Sequence, residues 1–308
     1  MADRFLVTGA NGCIGAWVLK LLRSEGTDVV AFDLREDDHR HRLINSGSMP
    51  DVEWKFGDLT VSDDVKRAAE GVTHIIHLAA LQIPFCRANP IQGAAVNVTG
   101  TVNVFEAARQ HGIKQISQAS SIAVFGGTSD YADRIIPESA PRLPTTLYGV
   151  YKVATEDLAK VYWNENQVRS VGLRPHTVFG PGRDQGMTSL PSVGIEKALK
   201  RETFHIDYGG TLDFQYASDV AAAFIHAARF AVDGAPTYNL SGHSVTVAKF
   251  VELTKEVTGF NGITCGTNSL PVVEGADATS WYSVANGPQP TPLREAIEES
   301  ATIFSAHN

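Results

Sequence analysis

Short apolar runs alternate along this chain with longer segments whose apolar residues recur at helical spacing. Residues 5–7, 29–32, 74–77, 113–117 and 171–173 are the runs, a pattern that predicts strands buried on both faces. Residues 14–23, 61–69, 98–110 and 148–163 predict helices that each bury one face. That alternation predicts βαβ units, hence an α/β fold built on a doubly wound parallel sheet. Residues 128–147, rich in Pro, Asp and Ser, read as a surface loop leading into the last of these helices. Past Pro175 the regularity falls away, with a break at Gly180-Pro181-Gly182 and loop-like stretches at 259–275 and 286–292. The expected division is a sheet domain over 1–174, rejoined by segments around 211–240, and a smaller, irregular C-terminal lobe over 175–308.

Directly after the first strand comes Thr8-Gly9-Ala10-Asn11-Gly12-Cys13-Ile14-Gly15, which opens a helix. Glycines at 9, 12 and 15 permit a tight turn and a close backbone approach, and the first-turn amides around Cys13 and Ile14 suit a pyrophosphate. Placed in the first βαβ unit, the loop makes the sheet Rossmann-type and predicts dinucleotide binding. Asp33 ends the second strand, where an acid accepts bonds from the adenosine ribose and repels a 2′-phosphate; this favours NAD over NADP, with Arg35 two residues on arguing the other way. A helix cap or turn residue is an equally good reading of Asp33 taken alone.

Tyr148 and Lys152 share one helical face. A phenol with the ordinary pKa of about 10 is almost wholly protonated at pH 7, so a fixed cation beside it is needed to make it a base. Lys152 stands at the right spacing to supply that charge.

Composition narrows the partners. With 308 residues, 43% hydrophobic and 19% charged, the chain has material for one large core or two unequal lobes. A formal charge of -8 and no basic cluster argue against nucleic acid or anionic lipid and for a small-molecule ligand. No apolar run reaches membrane-spanning length and the N-terminus lacks a secretory pattern, so a cytoplasmic location is expected. Cys13, Cys86 and Cys265 are odd in number and far apart, and the ten histidines are scattered, so neither disulfide nor metal site is expected.

The glycine loop and the Tyr148/Lys152 pair together resemble the extended short-chain dehydrogenase/reductases, the NAD-dependent epimerase/dehydratase family typified by UDP-galactose 4-epimerase. The likeness runs over about residues 5–238 and includes Gly57-Asp58-Leu59, His77-Leu78-Ala79-Ala80, Asn97-Val98-Thr99-Gly100-Thr101, Ser120 through Gly126, Glu138 with Pro141 and Pro144, and Leu173-Arg174-Pro175. The resemblance implies that Asp58 and Leu59 flank the adenine of NAD and that Leu78, Ala79 and Ala80 line its phosphates and ribose. Asn97 falls on the nicotinamide side, and His176 is also expected among the cofactor-binding residues. Ser121 holds the reacting carbinol oxygen, Tyr148 takes its proton, and Lys152 depresses the Tyr148 pKa and bonds the ribose. Without the resemblance, Asp58 reads as a cap and His77 as a satisfied core histidine. A homodimer through the helices at 98–110 and 148–163 is also implied.

Departures from the family pattern bear on the substrate. Ile122-Ala123 stands where the family's dehydratases carry an Asp-Glu pair, which argues against dehydration. Thr177 replaces an Asn, and Leu212 an Arg, that in nucleotide-sugar members contact the diphosphate, leaving Arg183 and His176 as replacement cations. Gln82, Ile83, Ser120, Ser121, Thr177, Arg183 and the segment 187–191 make up the expected substrate side. The favoured reading is a dehydrogenase releasing NADH from a free sugar, sugar acid or similar polyol. An epimerase with retained NAD is the alternative, and a non-catalytic NAD-binding sensor the third reading.

Overall fold

A computed structural model describes residues 3–307. Seven parallel strands form the central sheet in the order Thr237–Asn239, Ser170–Arg174, Gln115–Ala119 (β5), His74–His77 (β4), Arg4–Thr8 (β1), Asp28–Asp33 (β2), Glu53–Phe56 (β3). The chain winds outward in both directions from β1, so the crevice at the carboxyl ends of β1 and β4 is a topological switch point, the place where such sheets bind ligands. Successive β1 residues serve opposite faces: Phe5 and Val7 enter a core with the helices Cys13–Ser24 and Ala217–Arg229, and Leu6 enters one with Gly100–His111.

The first strand and helix follow the hydrophobic pattern closely, whereas β5 begins two residues later than the apolar run suggests. Gly112, at φ +62°, ends the preceding helix, and Ile113 packs into the core before pairing starts at Gln115. The edge strand β3 and the helix His39–Ile44 carry too few apolar residues to announce themselves. Upstream of 98 the predicted helix extends back through a π-helical turn, Ala95–Thr99, to Pro90.

Beyond Pro175 the chain is more regular than its sequence suggests. Thr211–Tyr216 pairs parallel with Thr177–Phe179 and antiparallel with His243–Thr246. The helices Leu190–Leu199, Val247–Thr258 and Leu293–Ser305 pack on one another. Leu190–Leu199 contains Pro191 and Gly194, and Val247–Thr258 is rich in β-branched residues; tertiary packing overrides weak local preference in both. The segment 217–239 lies against the central sheet, Ala217–Arg229 packing on Cys13–Ser24 and Thr237–Asn239 extending the sheet edge. No helix among the described residues is long and apolar enough to cross a membrane.

Leu147–Asn166, the helix that carries Tyr148 and Lys152, is fixed at three points. Thr146 caps it by accepting a hydrogen bond from the Gly149 amide at 3.1 Å. A Cβ on Gly149 would lie 2.2 Å from the Ala123 carbonyl, so only glycine lets the first turn press against the 121–124 turn. Deeper along, Glu156 is buried and takes a two-pronged bond from Arg174, Nε to Oε1 at 2.7 Å and Nη2 to Oε2 at 2.8 Å. The Ser120 hydroxyl adds a 2.5 Å bond to Glu156 Oε1, and Arg142 reaches Oε2 at 3.3 Å. The far side of Arg174 lies over the Phe125 ring at 5.0 Å and reaches Asn239 Oδ1 at 3.3 Å. Arg174→Met is therefore expected to lower the unfolding free energy by about 3–5 kcal/mol in urea titration, the cost of stranding a buried carboxylate. A loss under about 1 kcal/mol, typical of an exposed pair, would show that the pair does not hold the helix.

Candidate active site

One cavity of about 840 Å³ opens at the switch point. Its lining includes Gly9, Gly12, Cys13, Ile14, Gly15, Asp33, Asp58, Leu59, Leu78, Ala79, Ala80, Gln82, Ile83, Ser120, Ser121, Tyr148, Lys152, His176, Thr177 and Arg183. The fold thus gathers the residues singled out from the sequence, drawn from nearly 180 positions, with Asn97 as the exception.

The glycine loop has the shape of a phosphate cradle. Gly9 sits at φ +70°, and a Cβ there would lie 2.6 Å from the Ala79 amide nitrogen. At Gly15 a Cβ would be 2.3 Å from the Gly9 carbonyl, while at Gly12 it would meet only that same carbonyl, at 3.1 Å, and otherwise open space. The helix Cys13–Ser24 starts at Gly12 without a side-chain cap, leaving its first-turn amides to the cavity. Asp33 accepts from the Asn11 amide at 2.8 Å and the Leu34 amide at 2.7 Å, and its burial pushes the carboxyl above the ordinary value. An open cradle with a carboxylate beyond it fits a dinucleotide. Asp58 caps the next turn through the Thr60 amide and hydroxyl, both at 2.8 Å, while still facing the cavity.

Several side chains act one step removed. Asn97 is buried, its carboxamide bonded to the Leu81 amide at 2.7 Å and the Leu81 carbonyl at 2.9 Å, so it shapes the wall and does not line it. His77 is a core histidine between Thr8 Oγ1 at 2.7 Å and Thr101 Oγ1 at 3.1 Å, with burial pushing it down to about 3. Thr101 already donates to the Asn97 carbonyl, so it accepts from Nε2–H of a neutral His77. The Ser120 hydroxyl is committed to Glu156, which corrects its expected place among substrate contacts. His176 does not provide the replacement cation considered for it: burial lowers its pKa, Nε2 donates to the Val273 carbonyl at 2.8 Å, and Nδ1 meets Thr177 Oγ1 at 3.0 Å. Leu212 is buried in the hydrophobic core.

The Tyr148/Lys152 pair also differs from expectation. Burial raises the Tyr148 pKa above 10, and the groups that pull it back are the Ser121 hydroxyl and the Arg183 guanidinium. Lys152 Nζ instead donates to the Ala119 carbonyl at 2.5 Å, 5.6 Å from the Tyr148 ring centre, and burial lowers its own pKa to about 8. Glu156, one helical turn beyond Lys152, opposes that drop. It went unrecognised in the sequence, although Tyr148, Lys152 and Glu156 recur every four residues as a polar stripe on a buried face.

The segment 180–188 lies over the glycine loop. Trp17 Nε1 donates to the Pro181 carbonyl at 3.0 Å, and Arg40 holds the Gly182 carbonyl at 3.0 Å and Asp184 Oδ1 at 2.5 Å. His39 adds a 2.8 Å bond to Asp184.

Comparison with known proteins agrees with this arrangement. The sequence model of the NAD dependent epimerase/dehydratase family matches residues 5–241. A UDP-glucose 4-epimerase of Mycolicibacterium smegmatis is 31% identical over 230 residues, 73% of this chain and 72% of that protein. A uronate dehydrogenase of Pseudomonas syringae pv. tomato is 32% identical over 219 residues, 68% of this chain and 73% of its own. The solved structure of MoeE5 in complex with UDP-glucose and NAD superposes with a TM-score of 0.83 at 30% identity, over 99% of both chains.

Two outcomes are expected. Gly9→Ala, which places a methyl against the Ala79 backbone, should abolish measurable NAD binding in calorimetry; unchanged affinity would remove the cradle from the site. Unfolded Lys152 keeps its proton to about 10.4 and the folded form only to about 8, so between these values the unfolded chain binds more protons and stability rises with pH. That rise should be smaller in Lys152→Met than in the native protein when unfolding free energies are compared from pH 8 to 10; parallel curves would contradict a buried, destabilised ammonium.

Proposed function

The chain belongs to the NAD dependent epimerase/dehydratase family, NAD-using enzymes of the extended short-chain dehydrogenase/reductase type, and we propose that within it this protein is a net dehydrogenase of a free sugar, sugar acid or similar polyol. The observation that carries this reading is the make-up of the cavity beyond the cofactor half. Past Thr188 the lining residues are Leu270 and Val272, and Arg183 is the one guanidinium on that side among the described residues. With Leu212 in the core, a nucleotide diphosphate has no paired anchor there. The relative named as a uronate dehydrogenase supports a free sugar-like substrate.

Bound NAD supplies the acceptor for the carbinol hydride. The amides of 13–15 would hold its pyrophosphate, Asp33 its adenosine ribose and Lys152 its nicotinamide ribose. Ser121 keeps the carbinol oxygen in line with Tyr148, whose ionised phenol takes the hydroxyl proton as the carbonyl forms. Desolvation keeps the phenol protonated until Arg183, Ser121 and bound NAD favour its ionised form.

A second reading, an epimerase with retained NAD, is favoured by the closed strap of Arg40, His39, Trp17 and Asp184 and by the UDP-glucose 4-epimerase relative. A homodimer is also proposed, supported by the exposed apolar side chains of Ile91, Val150 and Val161 along the helices 90–111 and 147–166.

In an NADH-absorbance screen of free sugars, aldonates, uronates and UDP-sugars, turnover is expected with a free compound. Conversion of a UDP-sugar alone, without free NADH, would sink the dehydrogenase reading and favour the second. Tyr148→Phe should lower kcat by about 10²–10⁴-fold with NAD affinity kept; full activity would remove Tyr148 as the base.

A further inference from the structure

The strap 180–188 carries a cation without a counter-ion. Gly180, Gly182 and Gly186 have φ of +118°, +85° and +99°, which lets neighbouring side chains part company. Asp184 is tied to Arg40 and His39, whereas Arg183 reaches the cavity on the side of Tyr148 and Gln82. Arg183 Nη2 donates to Thr188 Oγ1 at 3.3 Å. Its Nε is buried without a partner, and no Asp or Glu among the described residues forms a salt bridge with it. A Cβ on Gly186 would lie 2.1 Å from Gln82 Oε1 and 3.1 Å from Arg183 Nη2, so the missing side chain is what lets these two groups converge.

A guanidinium offers five donors in a planar fork, and one is engaged here. The planar, singly charged partner that fits such a fork is a carboxylate. A phosphate dianion calls for more positive charge than one guanidinium brings, and Arg40, which reaches the strap from the helix His39–Ile44, is paired with Asp184. We propose that Arg183, flanked by Gln82 and Thr188, is a carboxylate subsite, so that the substrate is a polyhydroxy acid, an aldonate or uronate, with its reacting carbinol at Tyr148 and Ser121. This rests on the reading of a free sugar-like substrate and narrows it to the anionic members.

The test is calorimetric binding of D-glucuronate, D-gluconate, D-glucose, sorbitol and D-glucose 6-phosphate to the NAD-loaded protein, with NADH formation followed in parallel samples. One of the two acids is expected to bind about 10- to 150-fold more tightly than its neutral counterpart, the range of a charged hydrogen bond. That ratio should collapse towards one in Arg183→Met and fall partway in Arg183→Lys, which keeps the charge and loses the fork. Unaltered thermal melting of the lysine variant establishes that the protein is folded. Equal binding of acids and neutral sugars, tighter binding of the phosphate ester, or an acid preference that survives in Arg183→Met would overturn the subsite. An acid that binds through Arg183 but yields no NADH leaves the subsite standing and defeats net dehydrogenation, so the two failures are told apart.

Discussion

The buried pair of Arg174 and Glu156 is the interaction on which the rest of the site depends. Arg174 ends a central strand and Glu156 lies two helical turns past Tyr148, so their bond fastens the reactive helix to the sheet. Ser120, directly before Ser121, donates to the same carboxylate, which locks the strand end carrying Ser121 to the helix carrying Tyr148. Through Asn239 the network reaches the edge strand contributed late in the chain. A buried ion pair is a weak source of net stability, because desolvation offsets much of the attraction. Its value here is geometric, since three separate stretches of chain must agree within fractions of an ångström for proton transfer.

Burial creates the second constraint. Tyr148 and Lys152 are both desolvated, one held protonated and the other pushed towards neutrality. Desolvation thus works against the ionised phenol, and each positive group placed beside it shifts it towards the base form. Arg183 is such a group, and it arrives on a strap anchored by Asp184 to the cofactor side of the cleft.

Much of this was legible in the sequence, for identifiable reasons. Four of the five inner strands carry consecutive apolar residues because both faces are covered, whereas β5 buries Gln115, Ser117 and Gln118; the glycine loop follows from close backbone approach at Gly9 and Gly15. The cavity-lining residues come mainly from strand ends, which the βαβ pattern places together. What escaped was set by tertiary contact: the C-terminal helices form despite weak local preference, and Ser120 and Asn97 were drawn to Glu156 and Leu81 by partners remote in sequence. Spacing along a helix gives Tyr148 and Lys152 a shared face and not the direction of the ammonium, which bonds the Ala119 carbonyl.

The central claim is that hydride leaves with the cofactor and does not return to the same sugar. Its most direct measurement is the amount of NADH formed per protein chain with excess NAD and a saturating polyhydroxy acid, read to completion against a known enzyme concentration. NADH exceeding the protein concentration many times over is the expected result. NADH capped at one equivalent per chain or below, with the substrate recovered as an epimer, would contradict net dehydrogenation.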